Sequence, residues 1–120
     1  MHTYKDLVVW QKSVELAEAI YRLTDKFPTE ERFGLTSQMR RAAVSIASNI
    51  AEGKLRGSSR EFKQFLLIAF ASGGELETQL EISKRLNLHK SIDYTGVESL
   101  LSEIMRMLNA MISRVSAPSA

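Results

Sequence analysis

Seven Lys/Arg side chains lie between Arg32 and Lys63, against two carboxylates, Glu52 and Glu61. Because the whole chain carries only +2, this block is strongly positive and the remainder is acidic. Concentrated positive charge can neutralise the phosphates of an anionic polymer. Arg40, Lys54, Arg56, Arg60 and Lys63 are the candidates for such contacts, grouped around a hinge that contains Gly53 and Gly57. A solvated hinge is an equally weighted alternative. From Arg40 onward no aromatic residue precedes Phe62, so stacking of single-stranded bases is not expected. Recognition by this block should read backbone and shape. About five contacts per subunit give weak binding at physiological salt, which repetition around an oligomer would strengthen.

A second set of polar residues has helical spacing. Gln38, Arg41, Ser45, Asn49 and Glu52 fall within about 80° of one another on a helical wheel. Glu75 and Gln79 sit among Ile68, Ala71 and Ile82, which predicts partial burial. Buried polar groups need partners, so Arg41 is expected to pair with Glu75, with Asn49 and Gln79 completing a structural network.

No catalytic set is evident. The serines lack a nearby histidine base, since His2 and His89 fall in a terminus and a loop. Glu75 and Glu77 are two apart on a helix and face different directions. Cysteine is absent and only two histidines are present, so no metal site or cofactor is expected. The chemistry on offer is binding, and a non-enzymatic protein is the expectation.

The elements that must position these residues are helices. A length of 120 residues fits one domain with its own core. No apolar run approaches the roughly 18–20 residues of a membrane span, and Lys5 and Asp6 interrupt any signal-peptide core. A cytoplasmic location is the expectation. Membrane-surface binding is disfavoured because no helix has a Lys/Arg-rich polar face.

Apolar periodicity places a first helix over Asp6–Lys26, capped by Asp6 and stopped by Pro28. One stripe is Leu7, Trp10, Val14, Ala17 and Tyr21; a second is Val9, Leu16, Ile20 and Leu23. A second helix runs from Leu35 or Thr36 to Gly53, read as its C′ residue, with Leu35, Met39, Ala42, Ala43, Ile46 and Ile50 inward. Ser58 and Glu61 have the spacing of a capping box and open a third helix to Leu86 or Leu88. Gly73-Gly74 marks either a bend or a close crossing within it. Asp93 caps a fourth helix whose Val97, Leu101, Ile104, Leu108, Met111 and Val115 form a heptad seam. The pattern predicts an all-α, up-and-down antiparallel four-helix bundle as a single domain over residues 1–116, with a disordered tail at 117–120. Val9, Leu67, Phe70, Leu100 and Met107 remain after one core is filled. Together they would make a patch larger than monomers tolerate, so a homo-oligomer is expected.

The segments YKDLVVWQKSVEL, IYRLTDKFPTEERFGLTSQMRRAAVSIASNIAEG and SREFKQFLLIAFASGGELETQL closely resemble the bacterial four-helix-bundle family encoded by intervening sequences in 23S ribosomal RNA genes. Members are sometimes called S23 ribosomal proteins. The resemblance covers roughly residues 4 to 90 and implies a homopentameric, barrel-like ring. A related branch, the accessory protein of diversity-generating retroelements, has a basic surface suited to nucleic acid and partners a reverse transcriptase. By that analogy a reverse transcriptase is a possible kind of protein partner. Many relatives carry proline where this chain has Ala47, so the helix bend that proline would impose is not assured here. The combined expectation is an oligomeric accessory protein that binds RNA or DNA. The alternative is a scaffold or protein-interaction ring without nucleic-acid binding.

Overall fold

The computed structural model describes residues 3–116; His2 and the expected tail at 117–120 lie outside them. Four helices follow in order: α1 (Val8–Thr24), α2 (Leu35–Leu55), α3 (Ser59–Leu86) and α4 (Thr95–Ser116). Single 3₁₀ turns at Tyr4–Asp6 and Thr29–Glu31 precede α1 and α2. Helix α1 packs on α2 and α4, and α3 packs on α2 and α4. The three residues between α2 and α3 leave room only for a reversal. The result is an up-and-down bundle 53 Å long and about 20 Å across.

The core comes from one stripe of each helix. On α1 it is the second stripe, Val9, Leu16, Ile20 and Leu23, that is buried, while Tyr21 of the first stripe is exposed. Met39, Ala42, Ala43, Ile46 and Ile50 face it from α2, and Leu66, Ala69, Leu76 and Leu80 from α3. Val97, Leu101, Ile104 and Leu108 close the interior from α4. Val9 therefore belongs to the core and not to a leftover surface. Phe70, Leu100 and Met107 pack against the core as well. Of the expected surface set only Leu67 is exposed, and Val44, Ile68 and Ile82 join it on α2 and α3.

The helix ends differ from expectation in two places. Asp6 does not cap α1; its carboxylate accepts the Thr3 N–H at 2.9 Å, and together with Thr3 it boxes the preceding 3₁₀ turn. Gly53 is not a C′ residue, because α2 continues to Leu55 and the left-handed position falls to Gly57, at φ 84°. Helix α2 runs through Ala47 without interruption. Ser58 does cap α3, its hydroxyl accepting the Glu61 N–H at 3.2 Å. Gly73 marks a close crossing, since a Cβ there would overlap the Met105 sulfur on α4.

Asp93 holds the start of α4 as an Asx turn, accepting the Thr95 N–H at 2.9 Å. That bond favours the ionised carboxylate and holds its pKa below the ordinary 3.8. A carboxylate whose pKa is lower in the folded state stabilises the fold above its unfolded value, and the benefit disappears as pH falls through the folded value. Asp93→Ala should lower the thermal midpoint at pH 7, and the gap from wild type should close below about pH 4. Thermal melts of both proteins from pH 7 to pH 3 check this; a gap that stays constant would contradict it.

Candidate nucleic-acid interface

Helices α2 and α3 bring the basic residues to the bundle end formed by residues 56–58. The α2–α3 approach there is close because Gly53 offers no side chain: a Cβ at that position would lie 2.6 Å from the Phe65 Cβ. Lys54 Nζ then sits 5.4 Å from the centroid of the Phe62 ring, and the Arg56 guanidinium 5.0 Å from that of Phe65. Both lie within the range of cation–π attraction. Arg56 also reaches Glu52 at 3.3 Å and Glu61 at 3.5 Å. Such exposed ion pairs are weak and exchange readily for a phosphate.

Arg60 is exposed and Lys63 half-buried. Among the described residues neither forms a side-chain hydrogen bond or ion pair. Both stand in the first turns of a 28-residue helix, whose N-terminus contributes a partial positive charge. Lys54 and Phe62 share a shallow depression with Gly57, Ser58 and Ser59 at the same end.

Arg40 does not belong to this group. Sixteen residues separate it from Arg56, about 24 Å along one helix. Its Nε donates to Thr24 Oγ1 at 2.9 Å and its Nη2 to the Tyr21 carbonyl at 3.3 Å. The same nitrogen lies 2.9 Å from Asp25 Oδ1, and the guanidinium sits 4.4 Å from the Tyr21 ring centroid. Arg40 closes the C-terminus of α1, where the negative end of the helix dipole favours a cation.

The polar stripe divides into three parts. Gln38, Arg41, Glu75 and Gln79 line one cavity of about 270 Å³ between α2 and α3. The expected Arg41–Glu75 ion pair is not formed: among the described residues neither side chain has a partner within salt-bridge distance. Asn49 does not reach Gln79. Its Nδ2 instead donates to the Ser45 carbonyl at 2.8 Å and to Ser45 Oγ at 2.9 Å. Ser45 and Ser72 hydroxyls bond at 2.9 Å across the two helices. Glu52 belongs to the hinge through Arg56.

Two further bridges tie α4 to its neighbours: Lys12 to Glu103 at 2.8 Å and Lys84 to Glu98 at 3.0 Å. Each lysine pKa is raised, first by the hydrogen bond to its carboxylate and then by that group's charge. Sequence reasoning missed them because no spacing rule connects residues on different helices. Among the described residues no cluster of three or more His, Asp or Glu could hold a metal ion. Among the described residues no helix is long and apolar enough to cross a membrane.

Comparison with known proteins agrees with this architecture. A crystal structure of a protein of unknown function from the S23 ribosomal protein family of Bacteroides thetaiotaomicron superposes with a TM-score of 0.80 at 30% identity. The match covers 88% of this chain and 96% of the other. No functionally curated protein matches the chain. The model of the 23S rRNA-intervening sequence proteins matches residues 5–110, and the chain therefore belongs to that family.

Proposed function

We propose that the protein is a non-enzymatic, oligomeric accessory protein that binds RNA or DNA through the α2–α3 end of its bundle. The observation that carries this reading is the state of the basic side chains there. Arg60 and Lys63 stand unpaired beside Lys54 and the start of α3, and Arg56 is held only by exposed carboxylates. Cations that the fold does not use, grouped on one end, suit phosphates.

Oligomerisation into a ring, a pentamer by likeness to the family, would bring several such ends together. Val44, Leu67, Ile68 and Ile82 are each more than two-fifths exposed on α2 and α3, which favours a covered face in the assembly. The same exposure supports the alternative of a protein-interaction ring.

The test is binding to duplex DNA and structured RNA over a salt series, with the mass in solution measured in parallel. Each phosphate contact contributes about 0.9 to the slope of log affinity against log salt for duplex DNA. The double variant Arg60→Ala, Lys63→Ala should reduce that slope by about 1.8 per engaged subunit. A variant that keeps its slope and affinity would remove the hinge from the interface. A stable ring indifferent to both nucleic acids would leave the protein-interaction alternative.

A further inference from the structure

Of the two adjacent glycines on α3, only Gly73 is explained by the fold. A Cβ at Gly74 would meet nothing within 4 Å, yet a glycine inside a helix destabilises it relative to alanine. Where a chain's own packing gives no reason for the missing side chain, close approach of another molecule supplies one. Gly74 lies in a depression of about 430 Å³ formed by α3 alone, with Glu77, Thr78, Glu81, Ile82 and Arg85 around it. Ile82 is 44% exposed there. Thr78 Oγ1 donates to the Gly74 carbonyl at 3.0 Å, so that hydroxyl is already bonded. Glu81 pairs with Arg85 at 2.9 Å, and among the described residues Glu77 has no ion pair. The depression therefore joins a bare stretch of helix and an apolar side chain to a net charge of −1.

The same chain carries the complement. Among the described residues Phe33 is the most exposed large apolar side chain, at 87%. It stands in the connection just before α2, and the Arg32 guanidinium lies 5.2 Å from its ring centroid. Among the described residues Arg32 has no ion pair. Phe33 and Arg32 thus form an apolar knob with a positive charge beside it. We propose that Phe33 of one copy seats over Gly74 of the next, with Arg32 facing Glu77 and Glu81. Aromatic and arginine side chains are the types enriched at the centres of interfaces.

This contact rests on the oligomeric reading and names the surfaces that make it. Knob and depression are different parts of the molecule, so the contact is heterologous and each copy uses both. Such contacts close into a ring when the rotation between copies permits. Gly74 lies 12 residues before the end of α3, about 18 Å along the helix, so joined copies are staggered or inclined to one another. Phe33 and the basic hinge stand at opposite ends of α2, and the contact itself does not use the hinge.

The test is the mass of the full-length protein in solution, measured by sedimentation over a range of concentrations. Phe33→Ala removes an exposed ring and Gly74→Gln fills open space, so both variants should fold, which circular dichroism and thermal melts check. Each should weaken self-association at least about thirtyfold. Mixing the two variants should restore a pair and nothing larger, because the Gly74→Gln copy keeps its knob and the Phe33→Ala copy keeps its depression. Glu77→Arg should also weaken assembly, and adding Arg32→Glu to it should recover part of the loss. An oligomer that keeps its mass in both Phe33→Ala and Gly74→Gln overturns this contact and leaves the oligomeric reading standing. Loss of assembly in both, with no pair on mixing, overturns the pairing of knob with depression. A wild-type protein that is monomeric at every concentration overturns the contact and the oligomeric reading together. Phe33→Ala that keeps its mass but binds structured RNA more weakly assigns the ring to nucleic acid and overturns the contact.

Discussion

Gly53→Ala should destabilise the bundle by roughly 1–2 kcal/mol, and Gly53→Val by more than about 3 kcal/mol. In an ordinary helix interior the alanine change would be favourable by about 0.8–1 kcal/mol. Here the new Cβ would lie 2.6 Å from the Phe65 Cβ and 3.2 Å from Phe62 Cδ1. The Phe65 Cβ is fixed to the α3 backbone, so no rotamer change relieves the overlap and the helices must separate. Gly74 supplies the contrast, because a Cβ there meets nothing within 4 Å. Gly74→Ala should follow the propensity scale and stabilise by about 0.5–1 kcal/mol. Urea unfolding of the three variants reads both signs. If Gly53→Ala is as stable as wild type, the α2–α3 approach does not depend on this glycine. Separation at Gly53 would also draw Lys54 and Arg56 away from the Phe62 and Phe65 rings, so phosphate binding should fall together with stability.

Much of the fold is present in local patterns. The seam from Val97 to Leu108 and the stripe from Met39 to Ile50 are buried as their spacing predicts, because burial on a helix is a property of every third or fourth residue. Ser58 is readable as a cap because its partner lies three residues away. The errors arise where sequence offers two equivalent choices. Gly53 and Gly57 both stand near the end of α2, and which one takes the left-handed position depends on how tightly α3 folds back. Val9 lies on the second stripe of α1, and which of the two stripes faces the core is decided by α2 and α4. The site divides in the same way. Arg56 and Glu52 are at i,i+4 spacing and meet, whereas Arg41 and Glu75 depend on the relative register of two helices and do not.

Arg40→Ala should destabilise the protein by about 2–3 kcal/mol while leaving phosphate binding at the hinge unchanged wherever the protein remains folded. Arg40 is the one member of the basic block that the fold has fully engaged. Its side chain is 27% exposed and donates to Thr24 Oγ1, to the Tyr21 carbonyl and to Asp25. Thr24 is itself 2% exposed and donates to the Ile20 carbonyl at 2.7 Å, so the arginine supplies a donor to an otherwise enclosed hydroxyl. Hydrogen bonds that involve a charged group contribute about 1.5–3 kcal/mol, and the contact with the Tyr21 ring about 0.5–1 kcal/mol more. Exposure of the Asp25 pair discounts its share. Lysine cannot reproduce the planar fork that spans the hydroxyl, the carbonyl and the carboxylate, so Arg40→Lys should recover less than half of the loss. Chemical denaturation orders the three proteins, and a salt series on the folded variants separates the two roles. A fully stable Arg40→Ala protein with a shallower salt slope would return Arg40 to the phosphate-binding set. The expected result assigns the neighbouring arginines of the QMRR segment to separate tasks. Arg40 fastens α2 to the end of α1, while Arg41 lines the depression between α2 and α3 with no ion pair among the described residues.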